Sequence, residues 1–370
     1  MHRRIGFVDF STNPGGIGKD MTNLMNAMAD AGGSVDMLIH EAAAPGLPFL
    51  SKSINVIKFG DGGRFARVRT LARYMRDTKP AAILSTKERE SQALVIARRM
   101  TGSSARAVIR VGTTHSELLR FRHWWQRIPT RYAIRATYRA ADTIICISQG
   151  VADDTRQFAG VPAHKIRLLP NTSIAPDIED QAAKPVAHPW LQATDSPIVL
   201  AVGRLVKVKD YPTLMRAFEI LRRTRLCRLV ILGEGKERTM LQRLVRELHI
   251  EADVSMPGYV GNPYAFMKRA ALLVHSSRVE GFGNVIAEAL AVGTPVVSTD
   301  CRHGPREILD NGRFGPLVAV GDVEGLAEAM RQTLDQPHPP EFLRQAADPY
   351  RVERIVHRYL DTLLDRERSS

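Results

Sequence analysis

The stretch that decides the fold covers residues 270–307 and reads AALLVHSSRVEGFGNVIAEALAVGTPVVSTDCRHGPRE. Its apolar runs at 272–275 and 296–298 predict two buried strands, and a glycine turn and a helix beginning near Gly283 lie between them. This order indicates parallel strands with the turn at the carboxyl edge of their sheet. Open α/β sheets bind ligands at that edge, so the turn is our candidate active site.

The residues of this turn suit a ligand that carries both phosphate and hydroxyl groups. Glycines at 281 and 283 let backbone approach closely, and the first N–H groups of a helix attract anions. Asn284 and Glu288 are four residues apart, so they share one helix face. Glu280 lies just before the helix, and ionised carboxylates accept hydrogen bonds from hydroxyl groups. A sugar nucleotide has both kinds of group. The alternative is that both glutamates are solvated surface residues.

Apolar runs alternate with helical stretches along the chain, which predicts doubly wound parallel sheets in two α/β domains. Six strands are expected in the first domain, the last at 143–147, and a helix at 130–141 precedes it. A polar, proline-bearing segment then interrupts the alternation. We predict an N-terminal domain at 1–173, a linker at 174–196, a C-terminal domain at 197–347 and a final helical segment at 348–370.

Composition describes an ordinary globular protein of 370 residues, with 44% hydrophobic and 25% charged residues. No run of about 18 apolar residues is present, and the N-terminus reads as a first strand rather than a signal peptide. The 3 cysteines lack metal-ligand spacing, so we expect no metal site and a reducing compartment. These features predict a cytoplasmic protein.

The positive charge lies entirely in the first half of the chain. The net charge is +13, and the first 175 residues contain 26 Lys and Arg against 13 Asp and Glu, whereas the remainder contains 26 of each. The run 98–139 holds ten arginines and the pair Trp124 and Trp125. Such a region is either a solvated basic face or a surface for an anionic membrane or acceptor. Nucleic acid is not expected as a partner because no recognition motif accompanies the charge.

Loops after successive strands of the C-terminal domain add candidates at the same sheet edge. Arg204 and Lys209 follow the strand predicted at 197–202, and cations there can hold a diphosphate. Without the neighbouring motifs, the simpler interpretation of both residues is that they are surface cations with no ligand. Gly203 belongs to the same loop as Arg204. Backbone in the following loops could read a base, and the residues concerned are Gly233, Tyr259 and Val260.

The first domain contributes a glycine-rich loop and a histidine. The loop at 13–19 is not an NTPase phosphate loop, because residue 13 is not glycine and Asp20 stands where Ser or Thr is required. Gly15 and Gly16 either form a tight strand-to-helix connection or bring backbone close to a ligand. His115 follows another predicted strand, and a single histidine there is either structural or functional.

Taken together, these motifs resemble the retaining glycosyltransferases of GT-B fold, specifically glycosyltransferase family 4. Glu280 and Glu288, separated by seven residues, match the family motif. Similar elements are GRLVKVKD at 203–210, LGEG at 232–235 and GYV at 258–260. The segment DCRHGPREI at 300–308 resembles a subgroup that acts on bacterial surface polysaccharide or lipopolysaccharide, often with UDP-hexoses or UDP-N-acetylhexosamines.

The resemblance implies a GT-B architecture, in which two Rossmann-like domains face each other across a cleft, and assigns roles to the donor-site residues. Arg204 and Lys209 would bind the donor diphosphate. Glu280 would hold hydroxyl groups of the transferred sugar, and Glu288 would bind the ribose. The other expected donor contacts are Gly203 and Gly233, Tyr259 and Val260 beside the base, and backbone of Phe282, Gly283 and Asn284.

On the acceptor side, the resemblance places Gly15 and Gly16 near the diphosphate or acceptor and His115 beside the reacting sugar. The loop departs from many relatives, which have Ala or Thr followed by Glu-Arg where this chain has residues 17–20 as IGKD. The final helix commonly crosses back to the first domain in this fold, so 348–370 is expected to do so.

The activity that the resemblance implies is retaining transfer of a hexosyl or N-acetylhexosaminyl unit from a nucleotide diphosphate sugar, which we expect to be UDP-linked. The acceptor would be a lipopolysaccharide, lipid-linked or other glycan. No cofactor or metal is expected, and the enzyme would lie peripherally on the inner face of the cytoplasmic membrane. The alternatives are a sugar-nucleotide epimerase of the same fold and a catalytically silent membrane-associated scaffold.

Overall fold

The chain divides into two compact units in a computed structural model that describes residues 3–8, 16–40, 50–59, 63–120, 123–192 and 196–365. The first unit comprises Met1–Ser173 together with Val352–Ser370, and the second comprises Ile174–Arg351. Each unit contains one parallel sheet with helices between its strands. The α/β architecture expected from the alternation of apolar runs and helical patterns is therefore confirmed.

The first unit has a seven-stranded sheet in the order β3-β2-β1-β4-β5-β6-β7, with every pair parallel. Its strands are β1 (Ile5–Val8), β2 (Val35–His40), β3 (Asn55–Phe59), β4 (Ala82–Ser85), β5 (Arg106–Val111), β6 (Thr143–Cys146) and β7 (Ile166–Leu168). Its helices before residue 173 are α1 (Gly16–Asp30), α2 (Arg64–Thr78), α3 (Glu88–Thr101), α4 (His115–Arg120), α5 (Trp124–Ala140) and α6 (Gln149–Ala159). β1 and β4 are buried throughout, as strands covered by helices on both faces should be.

The second unit has a six-stranded parallel sheet in the order β10-β9-β8-β11-β12-β13. Its strands are β8 (Ile198–Val202), β9 (Arg228–Leu232), β10 (Val254–Gly258), β11 (Leu272–His275), β12 (Val296–Thr299) and β13 (Leu317–Val318). Its helices are α7 (Ile178–Ala183), α8 (Pro189–Gln192), α9 (Tyr211–Thr224), α10 (Arg238–Glu247), α11 (Tyr264–Met267), α12 (Asn284–Ala291), α13 (Pro305–Ile308), α14 (Val323–Asp335) and α15 (Pro340–Ala347). The order of strands reverses between β8 and β11, which is where ligands bind in such sheets.

The last helix, α16 (Val352–Leu364), packs in the core of the first unit. Tyr359 and Leu363 are fully buried there, beside Met21 of α1. The hydroxyl of Tyr359 accepts a hydrogen bond from the buried Arg110 at 3.2 Å, and Arg110 also contacts Asp20 at 3.4 Å. The chain therefore finishes the first unit after completing the second.

Three sequence expectations differ from the structure. A seventh strand, β7, was not expected, because it has three residues and none is fully buried. α5 begins at Trp124, six residues before the expected start at residue 130, and contains Pro129. The segment 174–196 is not a free linker, since it carries α7 and α8 and buries Ile178. Among the described residues, no helix is long and apolar enough to cross a membrane.

Replacing Leu363 with alanine should destabilise the first unit by about 2–5 kcal/mol, because the side chain is buried in the core and leaves a cavity. His357 lies on the exposed side of the same helix, so His357→Ala should change stability by less than about 0.5 kcal/mol. Urea unfolding followed by circular dichroism compares the two. Equal midpoints would contradict the placement of α16 in this core.

Candidate active site

Two loops at the switch point of the second sheet carry the main candidate residues. One follows β8 and contains Arg204 and Lys209, and the other follows β11 and contains Glu280. Because β8 and β11 are neighbouring parallel strands, both loops leave the same edge of the sheet. The structure brings Lys209 and Glu280 into direct contact, with the ammonium donating to Oε1 of Glu280.

Backbone and side-chain hydrogen bonds join these two loops. The N–H of Arg278 donates to the carbonyl of Val208 at 2.8 Å, and the hydroxyl of Ser276 donates to the carbonyl of Lys209 at 2.8 Å. Nε of Arg278 donates to the buried carboxylate of Asp210 at 2.9 Å. The Lys209–Glu280 pair is therefore held between two segments whose backbones are fixed to each other.

The carboxylate of Glu280 is half-buried and receives three hydrogen bonds. Besides Lys209, its Oε1 accepts from the hydroxyl of Ser277 at 2.8 Å and from Nε2 of His275 at 3.0 Å. Burial alone would raise the pKa of Glu280, but the positive charge of Lys209 and the bonds from His275 and Lys209 outweigh it, holding this pKa well below its ordinary value. Glu280 is therefore ionised and can accept hydrogen bonds from a ligand.

His275 is a functional candidate that sequence reasoning missed. It ends β11 and is buried, and its Nδ1 lies 3.0 Å from the hydroxyl oxygen of Ser298 on β12. Burial lowers its pKa, so the ring is neutral. An ionised Glu280 can only accept, which assigns the proton of the neutral ring to Nε2. The signal available in the sequence was a polar residue at the end of an otherwise apolar strand, five residues before Glu280.

The turn before α12 depends on a close approach between two backbones. Gly283 precedes the helix with φ +102°, a value that favours glycine. A Cβ at Gly304, where φ is +100°, would lie 1.8 Å from the carbonyl oxygen of Phe282. Segment 300–304 therefore lies directly on the turn. The ring of Phe282 is buried edge-to-face against Tyr350, with centroids 5.1 Å apart, so only its backbone is available to a ligand.

The two carboxylates of the motif are not solvated surface residues. The side chain of Glu280 is 16% exposed and Glu288 is 5% exposed. The hydroxyl of Tyr264 donates to Oε1 of Glu288 at 3.4 Å, and Asn284, one turn earlier on α12, is half-buried. The alternative of two solvated glutamates is therefore wrong.

The remaining donor candidates line neighbouring loops at the same edge. Gly233 needs to be glycine for a structural reason, because a Cβ there would lie 1.9 Å from the carbonyl oxygen of Gly203. Tyr259 follows β10 and is exposed, and Val260 is half-buried. Arg204 is exposed and makes no ion pair or side-chain hydrogen bond within the part of the chain that the structure describes. Its guanidinium is available for an anion.

The acceptor-side candidates belong to the first unit. His115 begins α4 and is buried; its Nδ1 lies 3.3 Å from Glu88, and its Nε2 lies 2.5 Å from the hydroxyl of Tyr138. Both ring nitrogens therefore have partners within this unit, and a catalytic role for His115 stays a prediction. Gly16 is the first residue of α1, whereas Gly15 lies outside the described residues.

The described residues at this edge include neither a metal-binding cluster nor a reactive thiol. Within the described ranges, no three His, Cys, Asp or Glu side chains are grouped as a metal ion would need. Cys301 is buried near Glu280, and burial raises the pKa of its thiol to about 12. The thiol is therefore protonated at neutral pH, so the polar groups of the site are those of the two loops.

Comparison with known proteins agrees with this geometry. The model of glycosyl transferases group 1 matches residues 187–349, and that of glycosyltransferase family 4 matches residues 14–172. HepE of Anabaena, solved with UDP-glucose, has a TM-score of 0.79 at 19% identity and covers 100% of both chains. The fold is GT-B. Each family model matches one of the two units, so the chain is similar to these glycosyltransferases over both units.

Two curated relatives are similar over part of their length. The N-acetylgalactosamine-N,N'-diacetylbacillosaminyl-diphospho-undecaprenol 4-alpha-N-acetylgalactosaminyltransferase of Campylobacter jejuni is 32% identical over 237 residues, 64% of this chain and 62% of that protein. The lipopolysaccharide core biosynthesis glycosyltransferase LpsE of Rhizobium meliloti is 34% identical over 203 residues, 54% of this chain and 56% of that protein. The chain thus spans about three fifths of the length of these relatives.

Replacing Lys209 with methionine should remove the charge that keeps the pKa of Glu280 low, and stability at neutral pH should fall by about 1–3 kcal/mol. A carboxyl whose pKa is lowered by folding contributes stability above its unfolded value, and this is lost as pH falls through the folded value. Wild-type stability should therefore decline below about pH 4.5, and the variant should lose less over that window.

Urea unfolding between neutral pH and pH 3 measures this difference. Lys207 is exposed on the same loop, so Lys207→Met is the matched control and should keep the wild-type pH profile. If the stability of Lys209→Met changed with pH in parallel with that of wild type, the Lys209–Glu280 pair would not be the source of the pH dependence.

Proposed function

We propose that this protein is a retaining glycosyltransferase of family 4 that moves a hexosyl or N-acetylhexosaminyl unit from a UDP-sugar to a glycan or glycolipid. The observation that carries the proposal is the ionised Glu280, fixed by Lys209 at the switch point of the second sheet. A carboxylate that accepts from sugar hydroxyls, beside cations that hold a diphosphate, suits both parts of a nucleotide sugar.

Three groups would stabilise the charge that develops on the leaving diphosphate. Arg204 offers a guanidinium without an internal partner among the described residues, and it can bind phosphate bidentately. Lys209 has three N–H donors, so it can serve Glu280 and a phosphate oxygen together. The N-terminus of α12 adds a positive dipole. Preorganised charge aimed at the place where charge develops is usually the largest single contribution to catalysis.

The acceptor proposal rests on the relatives and on the distribution of charge. One relative's name specifies a diphospho-undecaprenol-linked glycan, and another is named for lipopolysaccharide core biosynthesis. The first 175 residues carry the whole net charge of +13. A lipid-linked or lipopolysaccharide acceptor on the inner face of the cytoplasmic membrane matches both facts. No metal or cofactor is required in this proposal, because fixed cations take the place of Mg²⁺.

Arg204→Gln should weaken UDP binding by about 10–100-fold, which is the usual effect of losing a charge-assisted hydrogen bond of roughly 1.5–3 kcal/mol. The ligand-free melting temperature should not change, because the exposed side chain has no partner among the described residues. Thermal stabilisation by UDP-, GDP- and ADP-sugars measures binding and identifies the nucleotide. Lys207→Gln is the control, and wild-type stabilisation of Arg204→Gln by UDP would refute the diphosphate assignment.

Glu280→Gln should lower the transfer rate by at least about 100-fold, because a neutral amide cannot replace the carboxylate in stabilising the reacting sugar. Transfer from UDP-glucose or UDP-N-acetylglucosamine to a lipid-linked glycan is measured, and NMR of the product shows whether the anomeric configuration is retained. Turnover at the wild-type rate would refute the role of Glu280. Conversion of the UDP-sugar without any acceptor would identify an epimerase instead.

A further inference from the structure

The first half of α5 is exposed to an unusual degree. Every residue from 123 to 129 is exposed, including Trp124 at 72%, Trp125 at 54% and Ile128 at 59%, and Tyr132 follows at 69%. These four make up more than a third of the 11 exposed large hydrophobic residues in the described chain, and they lie within nine positions. Apolar side chains so concentrated on one surface mark an interaction site.

The four side chains share one face of the helix. At 3.6 residues per turn, Trp124, Ile128, Tyr132 and Trp125 fall within an arc of about 100°. The buried residues Ile134 and Thr137 lie on the opposite side and hold the helix to its unit. We call the four exposed residues the α5 face. It points away from the core of the first unit.

The charge beside the α5 face is positive, and three of its arginines have no carboxylate partner among the described residues. Arg131 and Arg139 are exposed, Arg135 is half-buried, and none of the three forms an ion pair within the described residues. Arg131 instead lies over the ring of Phe158, 5.3 Å from its centroid. The sequence has no acidic residue between Glu117 and Asp142.

We infer that the α5 face binds a lipid bilayer that contains anionic lipid, with the two indoles and Ile128 in the headgroup region and the arginines beside the lipid phosphates. Trp and Tyr favour this region because they combine an apolar ring with a polar group. A helix with an apolar face and flanking cations lies in the plane of the interface. Pairing with a second copy would instead bring two basic surfaces together.

The position of the α5 face fits a lipid-linked acceptor. α4 and α5 follow β5, so α5 leaves from the carboxyl edge of the first sheet, the edge at which open α/β sheets bind ligands. An acceptor anchored in the bilayer would thus be presented to that edge. The inference rests on the membrane partner proposed above and is independent of the donor residues.

Co-sedimentation with phosphatidylcholine vesicles, with and without phosphatidylglycerol, tests the inference on the full chain. Trp124→Ser, Trp125→Ser and Ile128→Ser together should weaken binding to the anionic vesicles by at least about tenfold. The matched control replaces three exposed apolar residues of the second unit, as Leu226→Ser, Met240→Ser and Val320→Ser, and should bind like wild type. Unfolding midpoints confirm that both variants fold.

The arginines are tested in the same way. Replacing Arg131 and Arg135 with glutamine should weaken binding to the anionic vesicles by about fivefold for each lost cation, and less at high salt. Arg243 and Arg246 are exposed on α10, and the same change there should have no effect. If the α10 variant lost vesicle binding to the same extent, the arginines of α5 would have no specific role in binding the membrane.

Fluorescence reports insertion directly, because the chain has 3 tryptophans and Trp190→Phe leaves only those of the α5 face. In that variant, anionic vesicles should shift the emission to shorter wavelength, and brominated lipid should quench it. Unchanged emission, or equal vesicle binding after the triple serine change, would overturn the inference. So would a dimer that the triple change abolishes, since the face would then bind a second copy.

These outcomes separate the membrane surface from the donor site. Stabilisation by UDP should be unchanged in the triple serine variant, and Arg204→Gln should bind vesicles like wild type. If UDP fails to stabilise the wild-type protein while vesicle binding depends on the α5 face, the donor proposal fails and this inference stands. If UDP stabilises it and vesicle binding does not depend on the face, the reverse holds.

Discussion

The contact between Lys209 and Glu280 is the interaction on which the candidate site depends. A half-buried carboxylate is costly unless it is paired, and here one ammonium and the ring of His275 keep it ionised. The same pair joins the loops after β8 and β11, whose backbones are already linked through Arg278 and Val208. The ionised state of Glu280 and the relative position of the two loops therefore depend on the same contact. Changing either partner alters the electrostatics of the site and the geometry of both loops.

Two glycines of this site are required by close contacts between backbone segments. Gly233 allows the loop after β9 to reach the carbonyl of Gly203, and Gly304 allows its segment to lie on Phe282. The turn at Gly283 is thus supported by the backbone at Gly304, which lies against the backbone of Phe282. Because this support comes from backbone, no side chain at Gly304 occupies the edge of the sheet beside the turn. A glycine-rich motif here reflects backbone packing as much as binding.

The sequence predicted the parts of the structure that follow from periodicity. Alternating apolar runs predicted both parallel sheets, and the loop after β11 was placed at the sheet edge because a strand preceded it and a helix followed. β7 and the helices near Ile178 were not predicted, because short elements with half-buried residues have no clear period. The partners of His115, and the contact of His275 with Ser298, could not be predicted either, since they come from strands and helices distant in sequence.

The net charge of a segment of this chain does not show how many of its cations lack an ion-pair partner. The arginine run in the first half is not uniform, because Arg98 pairs with Asp142 at 2.8 Å and Arg106 pairs with Asp365 at 2.7 Å, while Arg131 has no carboxylate partner among the described residues. Arg131 is therefore one of the arginines of the run whose charge is available to a partner. The second half has no net charge, yet Arg204 stands without an internal partner at the sheet edge. Cations that folding leaves unpaired, rather than the totals, therefore indicate where this protein can bind an anion.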